Sequence, residues 1–113
     1  DPAVVLKVFR EALHALAQDT RLDVFRLLVK QGAEGMAAGD IAEALGVRQN
    51  TMSANLSVLA KAGMVRSERE GRVIRYFANF DGMRSLLAFL MEDCCGGNPE
   101  LCKPVLDEIV CAC

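Results

Sequence analysis

The stretch DIAEALGVRQNTMSANLSVLAKAGMV, residues 40–65, divides into a short helix, a tight turn and a longer helix. Gly46 ends the first part, at a position where helices favour a left-handed residue, and Gly63 closes the second. The longer helix is predicted over Arg48–Ala62, and its inward stripe consists of Met52, Leu56 and Leu59. This pattern predicts a helix-turn-helix.

The other face of the longer helix is polar and uncharged. It carries Gln49, Asn50, Ser53 and Ser57, with Thr51 and Asn55 beside it. Groups that both donate and accept hydrogen bonds can read base edges in a major groove. A helical hairpin with a merely solvated face usually carries Glu and Lys, and neither occurs from Gln49 to Ala60. The pattern therefore favours DNA recognition over a solvated hairpin.

After the helix-turn-helix, the apolar period changes from 3.6 residues to 2. Met64–Glu68 and Val73–Ala78 alternate in this way, and Gly71 between them predicts a tight β-hairpin. Arg69 and Arg72 fall near its tip, where they can contact phosphates or the minor groove beside a recognition helix. The predicted fold class is mainly α with a small β-hairpin, a winged helix-turn-helix.

Helical spacing also predicts helices on both sides of this unit. Their expected bounds are Ala3–Ala17, Asp19 or Thr20 to about Lys30, and Asn79 or Asp81 to about Asp93. A short final helix from Pro104 to Val110 is marginal alone and needs a docking surface or a bound ion. The expected total is about five helices and a two-stranded wing.

Composition predicts one soluble domain. The chain has 113 residues, of which 52% are hydrophobic and 25% charged, enough to build a core. Without an apolar run near the ~20 residues of a membrane span or a signal-like leader, we expect a cytoplasmic protein with no membrane partner. The net charge is −2, yet six basic and two acidic residues occur between Arg48 and Arg75, a local net charge of +4. Such a basic patch is typical of phosphate contact.

The five cysteines form the second unusual feature. All lie in the last twenty residues, at Cys94, Cys95, Cys102, Cys111 and Cys113. An odd, clustered number in a chain without a secretory signal does not predict a disulfide framework. A bridge between Cys94 and Cys95 would be strained, because adjacent α-carbons lie ~3.8 Å apart and disulfides usually need ~4.4–6.8 Å. The cluster indicates thiol chemistry.

Three segments, LAQDTRLDVFRLL, DIAEALGVRQNTMSANLSVLAKAGMV and RSEREGRVIRYF, together resemble the ArsR/SmtB family of metal-responsive winged-helix repressors. The resemblance covers about Leu16–Phe80. It implies a homodimer formed by the first and last helices, bound to operator DNA and released by an inducer. The positions that match the family's DNA contacts are Arg48, Gln49, Thr51, Ser53 and Asn55 on the recognition helix, and Arg69 and Arg72 on the wing. At Asn55 the family commonly has His.

The inducer site departs from that of the founding arsenic repressors. Gly35–Ile41 lacks their Cys-Val-Cys motif, whereas Cys94, Cys95 and Cys102 resemble the site of a separate arsenical-sensor branch. Soft thiolates select soft ions, and trivalent arsenic or antimony binds three sulfurs in a pyramid. The six residues between Cys95 and Cys102 keep the cost of loop closure small. We expect As(III) or Sb(III) as inducer, with a DNA-binding and dimerisation domain at 1–93 and an inducer-binding tail at 94–113.

Other interpretations of the cysteines stay open. Cadmium, lead, mercury or zinc are alternatives, and zinc would need a fourth ligand such as Cys111 or Cys113. Thiol oxidation, for instance to a Cys95–Cys102 disulfide, could replace the ion. A constitutive DNA-binding module with a structural zinc tail, or incidental thiols, would leave no inducer. An enzyme is not expected, because no nucleophile is placed with His or Arg in a local motif.

Overall fold

The computed structural model describes residues 2–91 and 99–109. In chain order, the elements are α1 (Pro2–Leu16), α2 (Asp19–Gln31), a 3₁₀ turn (Gly32–Glu34), β1 (Met36–Ala37), α3 (Ala38–Leu45), α4 (Gln49–Lys61), β2 (Val65–Glu70), β3 (Val73–Ala78), α5 (Phe80–Leu90) and α6 (Pro99–Ile109). The winged helix-turn-helix fold is confirmed, with six helices in the described ranges where about five were expected. No helix in those ranges is long and apolar enough to cross a membrane.

The helix-turn-helix consists of α3 and α4. Helix α3 ends at Gly46, whose φ of 66° and ψ of 34° are left-handed. The amides of Gly46 and Val47 donate to the carbonyls of Glu43 and Ala42, over 3.3 and 2.9 Å, and so satisfy carbonyls that the helix end leaves unpaired. Arg48 is extended and precedes α4. The predicted bounds of α4 differ from the observed ones by one residue at each end.

The core forms where α4 packs against α1 and α2. The predicted stripe of α4 is confirmed, because Met52, Leu56 and Leu59 are all 0% exposed. Helix α2 buries Val24, Phe25 and Leu28, whereas Leu22 and Val29 are exposed. Positions 24, 25 and 28 form one helical face, which leaves Leu22 and Val29 at its margins.

The wing is the predicted hairpin with one additional strand. Strands β2 and β3 pair antiparallel from Val65↔Ala78 to Glu70↔Val73, so that Gly71 and Arg72 form the loop. Strand β1 pairs with the other edge of β3, giving the order β1-β3-β2. A strand of two residues is too short to show an alternating pattern, and the sequence therefore predicted only two strands.

The start of α5 is held against the residues that follow α4. The side chain of Asn79, one of the two residues expected to cap this helix, accepts from the amide of Gly82 over 3.1 Å. The NH₂ group of Asn79 donates to the carbonyl of Gly63 over 2.9 Å. The backbone amide of Asn79 also donates to Met64 over 2.9 Å. The two hydrogen bonds to Gly63 and Met64 fix the start of α5 against the residues that follow α4.

Gly82 permits this close approach. A Cβ atom built at position 82 would overlap the carbonyl oxygen of Gly63. We expect Gly82→Ala to lower the free energy of unfolding by about 2 kcal/mol, since overpacking against a fixed backbone typically costs ~1–3 kcal/mol. Urea denaturation followed by circular dichroism measures this loss. Gly39→Ala is the control, because its added Cβ meets only the end of the Gln49 side chain at 3.0 Å. Equal stability of the two variants would contradict the close contact.

The last two helices differ from their predicted bounds. Helix α5 ends at Leu90 rather than near Asp93. Helix α6 begins at Pro99, where the missing amide of proline costs nothing, and Pro104, the expected first residue, lies inside it. Four apolar side chains of α6 are exposed: Leu101, Val105, Leu106 and Ile109. The described residues of α6 therefore leave an apolar surface facing outward.

Candidate nucleic-acid interface

Five of the predicted recognition residues lie together at the start of α4. We call them the reading edge, and they are Arg48, Gln49, Asn50, Thr51 and Ser53, all exposed. The first turn of a helix also presents the positive end of the helix dipole, which favours contact with phosphate. The side-chain oxygen of Asn50 accepts from the amide of Thr51 over 2.9 Å, which leaves the NH₂ group of Asn50 available to donate.

Asn55, another predicted DNA contact, is not exposed with this edge. It is only 8% exposed, and its Oδ1 atom accepts a hydrogen bond from Nη1 of Arg21 over 3.4 Å. Position 55 follows Met52 by three residues and precedes Leu56, which puts it on the margin of the buried stripe. Its burial does not fit the predicted base contact. The helical spacing from Met52 was the signal that could have placed Asn55 inside.

The two wing arginines lie at the tip of the hairpin as predicted. Arg69 is the next-to-last residue of β2, Arg72 lies in the loop, and both are exposed. Neither forms an ion pair within the described ranges. They are therefore available to phosphates on DNA that contacts the reading edge.

Other basic residues of the patch are already engaged. Arg66 pairs with Glu68 over 2.9 Å, and its guanidinium lies 4.3 Å from the centre of the Phe77 ring. Arg75 pairs with Glu70 over 3.2 Å and donates to the carbonyls of Glu34 and Gly35 over 3.1 and 3.3 Å. The cations of the patch without an ion pair in the described ranges are Arg48, Lys61, Arg69 and Arg72. The local charge that can reach DNA is thus carried by fewer residues than the sequence suggests.

This difference leads to a prediction for the wing. Arg72→Ala should weaken binding to operator and to unrelated DNA alike, and should reduce the slope of log K against log salt by about 1, as expected for one lost phosphate contact. Arg66→Ala is the matched control, since Glu68 already pairs with that charge. Fluorescence anisotropy at several salt concentrations measures the slopes. Equal changes in the two variants would show that Arg72 makes no specific phosphate contact.

The predicted ion site falls largely outside the described residues. Of the proposed ligands, Cys94 and Cys95 lie there, as do Cys111 and Cys113. Cys102 lies on α6, is 3% exposed and is disulfide-bonded. Within residues 2–91 and 99–109, no group of three or more His, Cys, Asp or Glu side chains could hold a metal ion. The three-thiolate site therefore stays a prediction.

An exposed apolar face extends over α1 and α5. The rings of Phe9 on α1 and Phe89 on α5 stack with their centres 4.4 Å apart and join the two helices. The apolar face consists of Val4, Val5, Val8, Leu13, Leu87, Leu90 and Met91, each at least 36% exposed. So many exposed apolar side chains on two helices that pack together favour a protein interaction surface over a solvated one.

Comparisons with known proteins agree with the DNA-binding geometry. A family model described as a helix-turn-helix domain matches residues 16–68. Nodulation protein NolR of Rhizobium meliloti is 32% identical over 80 residues, which are 71% of this chain and 63% of NolR. The chain thus spans less than two thirds of the length of that relative.

Two solved structures share both sequence and fold with the chain. One is a solution NMR structure of a homodimeric winged helix-turn-helix DNA-binding domain from Mycobacterium bovis, described as a possible ArsR-family transcriptional regulator. It is 33% identical with a TM-score of 0.67, over 81% of this chain and 84% of that one. A crystal structure described as a possible transcriptional regulator for arsenical resistance is 26% identical with a TM-score of 0.62, over 86% and 95%. Together with the winged helix-turn-helix and its exposed reading edge, these similarities show that the chain belongs to the ArsR family of winged-helix DNA-binding transcriptional regulators.

Proposed function

We propose that this regulator is a homodimeric repressor that leaves its operator when As(III) or Sb(III) binds to Cys94, Cys95 and Cys102. The observation that carries operator binding is the exposed reading edge of α4 beside two wing arginines without an ion pair in the described ranges. The clustering of all five cysteines in the last twenty residues supports the ion site. Thiolates in such number select thiophilic ions.

The apolar face of α1 and α5 supports a dimer formed by these two helices. Its side chains are up to 57% exposed in one protomer, and a second copy would remove them from water. The Mycobacterium bovis relative is a homodimer. A two-fold dimer would place two copies of α4 in successive major grooves of an operator with matching symmetry.

The inducer must act on DNA binding indirectly. The reading edge contains no thiol, carboxylate or imidazole that could bind the ion. The proposed ligands follow α5 in the chain. Phe89 of α5 stacks on α1, and Asn79, the cap of α5, donates to Gly63, which follows α4. We infer that ion binding shifts the spacing or mobility of the two reading edges through these helices. The coupling is expected to be ~1–3 kcal/mol, equivalent to a ~5–150-fold change in operator affinity.

The disulfide at Cys102 favours a second candidate, in which thiol oxidation rather than an ion is the signal. A disulfide would occupy the sulfur that the ion requires, so the two signals compete for the same residue. The ion site requires reduced cysteines.

The test compares the two signals on one operator complex. Operator DNA selected from a random pool is bound by protein reduced with a phosphine, and anisotropy follows release during addition of arsenite, antimonite, cadmium or zinc. A parallel sample receives diamide without any ion, and bound ions are counted by mass spectrometry. We expect arsenite and antimonite to release DNA with one ion per three-thiolate site. Release by diamide alone would support the redox candidate. Zinc binding without release would indicate a structural zinc tail.

A further inference from the structure

Arg21 of α2 forms hydrogen bonds to α1, to α4 and to the residue that caps α2. Its Nε atom donates to the carbonyl of Ala15 over 2.7 Å, and its Nη1 atom donates to Oδ1 of Asn55 over 3.4 Å. Its backbone amide donates to the side chain of Gln18, the residue that caps α2, over 2.8 Å. The half-buried guanidinium of Arg21 therefore contacts the end of α1 and the middle of α4 at the same time.

Each contact has a physical reason. Ala15 lies in the last turn of α1, where carbonyls have no partner within the helix and a cation is favourable. Asn55 is the one polar residue among the buried residues that the structure describes. A buried amide that loses its hydrogen-bond partner pays the full cost of its desolvation. The planar guanidinium group can donate to both acceptors without rearrangement, which the single ammonium group of lysine cannot do equally well.

We propose that Arg21 and Asn55 form a positioning pair that sets the rotation and depth of α4 against α1 and α2. Ser53 of the reading edge precedes Asn55 by two residues on the same helix. A rotation of α4 at Asn55 therefore displaces the reading edge relative to the bases. Neither member of the pair contacts DNA. The proposal rests on the proposed contact between operator DNA and the reading edge, and it is independent of the inducer.

Substitutions at Asn55 distinguish this role from a base contact. An aspartate keeps the acceptor for Arg21 and makes the bond charge-assisted. It lacks the NH₂ group that a paired contact with adenine requires. A positioning role therefore tolerates Asn55→Asp and does not tolerate Asn55→Leu, whereas a base contact tolerates neither. Asn55→Leu keeps the branching and the number of heavy atoms of the side chain and replaces its polar atoms with methyl groups.

The experiment measures the affinities for a selected operator and for unrelated DNA, with circular dichroism showing that each variant is folded at the assay temperature. We expect Asn55→Asp to keep operator affinity within about threefold, and Asn55→Leu and Arg21→Ala each to lose about tenfold. The variant that combines Arg21→Ala with Asn55→Leu should lose no more operator affinity than either single variant, as for residues that act as a unit. Affinity for unrelated DNA should stay within about twofold, because phosphate contacts persist. The operator affinity of Arg21→Lys, which retains the charge, should lie between that of the wild type and that of Arg21→Ala.

Three results would overturn the proposal. Equal losses in Asn55→Asp and Asn55→Leu would show that Asn55 reads a base. Losses that multiply in the double variant would show that Arg21 and Asn55 act independently. Equal losses on operator and unrelated DNA would indicate general damage to the domain, since a positioning role lowers the ratio between the two affinities. A separate control tests the reading edge itself. If the reading edge did not contact the operator, substitution of Gln49 and Ser53 would leave the ratio of operator affinity to affinity for unrelated DNA unchanged. That result would contradict the proposed function rather than the positioning pair.

Discussion

Combined substitution of Cys94→Ser and Cys102→Ser is expected to leave operator affinity within about twofold of wild type and to abolish release by arsenite. The affinity should persist because the reading edge and the wing arginines lie on other elements. The response should vanish because a serine hydroxyl is a hard, protonated group that does not replace a soft thiolate. For the wild type we expect arsenite to lower operator affinity ~5–150-fold, the range that corresponds to ~1–3 kcal/mol of coupling. Anisotropy of labelled operator under reducing conditions measures both quantities.

The same chain offers a matched control for this experiment. Cys111→Ser combined with Cys113→Ser also removes two thiols from the tail and leaves the three proposed ligands intact. This control should respond to arsenite like the wild type. Release of the Cys94→Ser and Cys102→Ser variant by arsenite would place the inducer site elsewhere. Loss of the response in the control would instead assign a ligand role to the last two cysteines.

The fold was predictable where several signals agreed on the same residues. In α4, the apolar period, Gly46 before it and Gly63 after it all indicate one helix, and its bounds were predicted within one residue. Strand β1 has two residues and shows no period at all. The start of α6 was missed because Pro104 was expected to begin the helix, while Pro99 fulfils the same condition at the first position. Local sequence does not distinguish two prolines that satisfy the same rule.

The candidate site shows a different limit. Asn55 was placed beside the polar face of its helix and matched to the DNA contacts of the family, since its side chain is polar. Its true position depends on Arg21, which is 34 residues away in sequence and donates to its side chain. The pairing of Arg75 with Glu70 likewise depends on the register of the hairpin, because the two residues lie on different strands. Tertiary contacts therefore decided which polar residues remain available to DNA.

Charged substitutions on the apolar face should have the largest effect on DNA binding. Val8→Asp on α1 and Leu90→Asp on α5 are each expected to convert the dimer to a monomer and to lower operator affinity more than about 100-fold. Both side chains are 51% exposed in a single protomer, so an aspartate should leave the fold of the protomer intact. In the dimer it would place an unpaired carboxylate in an apolar interface, which costs several kcal/mol. A monomer also loses the gain of about 10²–10⁴ that two linked half-site contacts provide.

Val29→Asp is the matched control for these two variants. Val29 is 41% exposed on α2, outside the apolar face, and the same substitution there should preserve both the dimer and operator affinity. Sedimentation velocity reports the oligomeric state, anisotropy reports the affinity, and thermal melting shows that all three variants are folded. A dimer that survives both Val8→Asp and Leu90→Asp would exclude α1 and α5 as the interface. A monomer that keeps wild-type operator affinity would instead show that one reading edge is sufficient, which the proposed contact with two successive grooves does not allow.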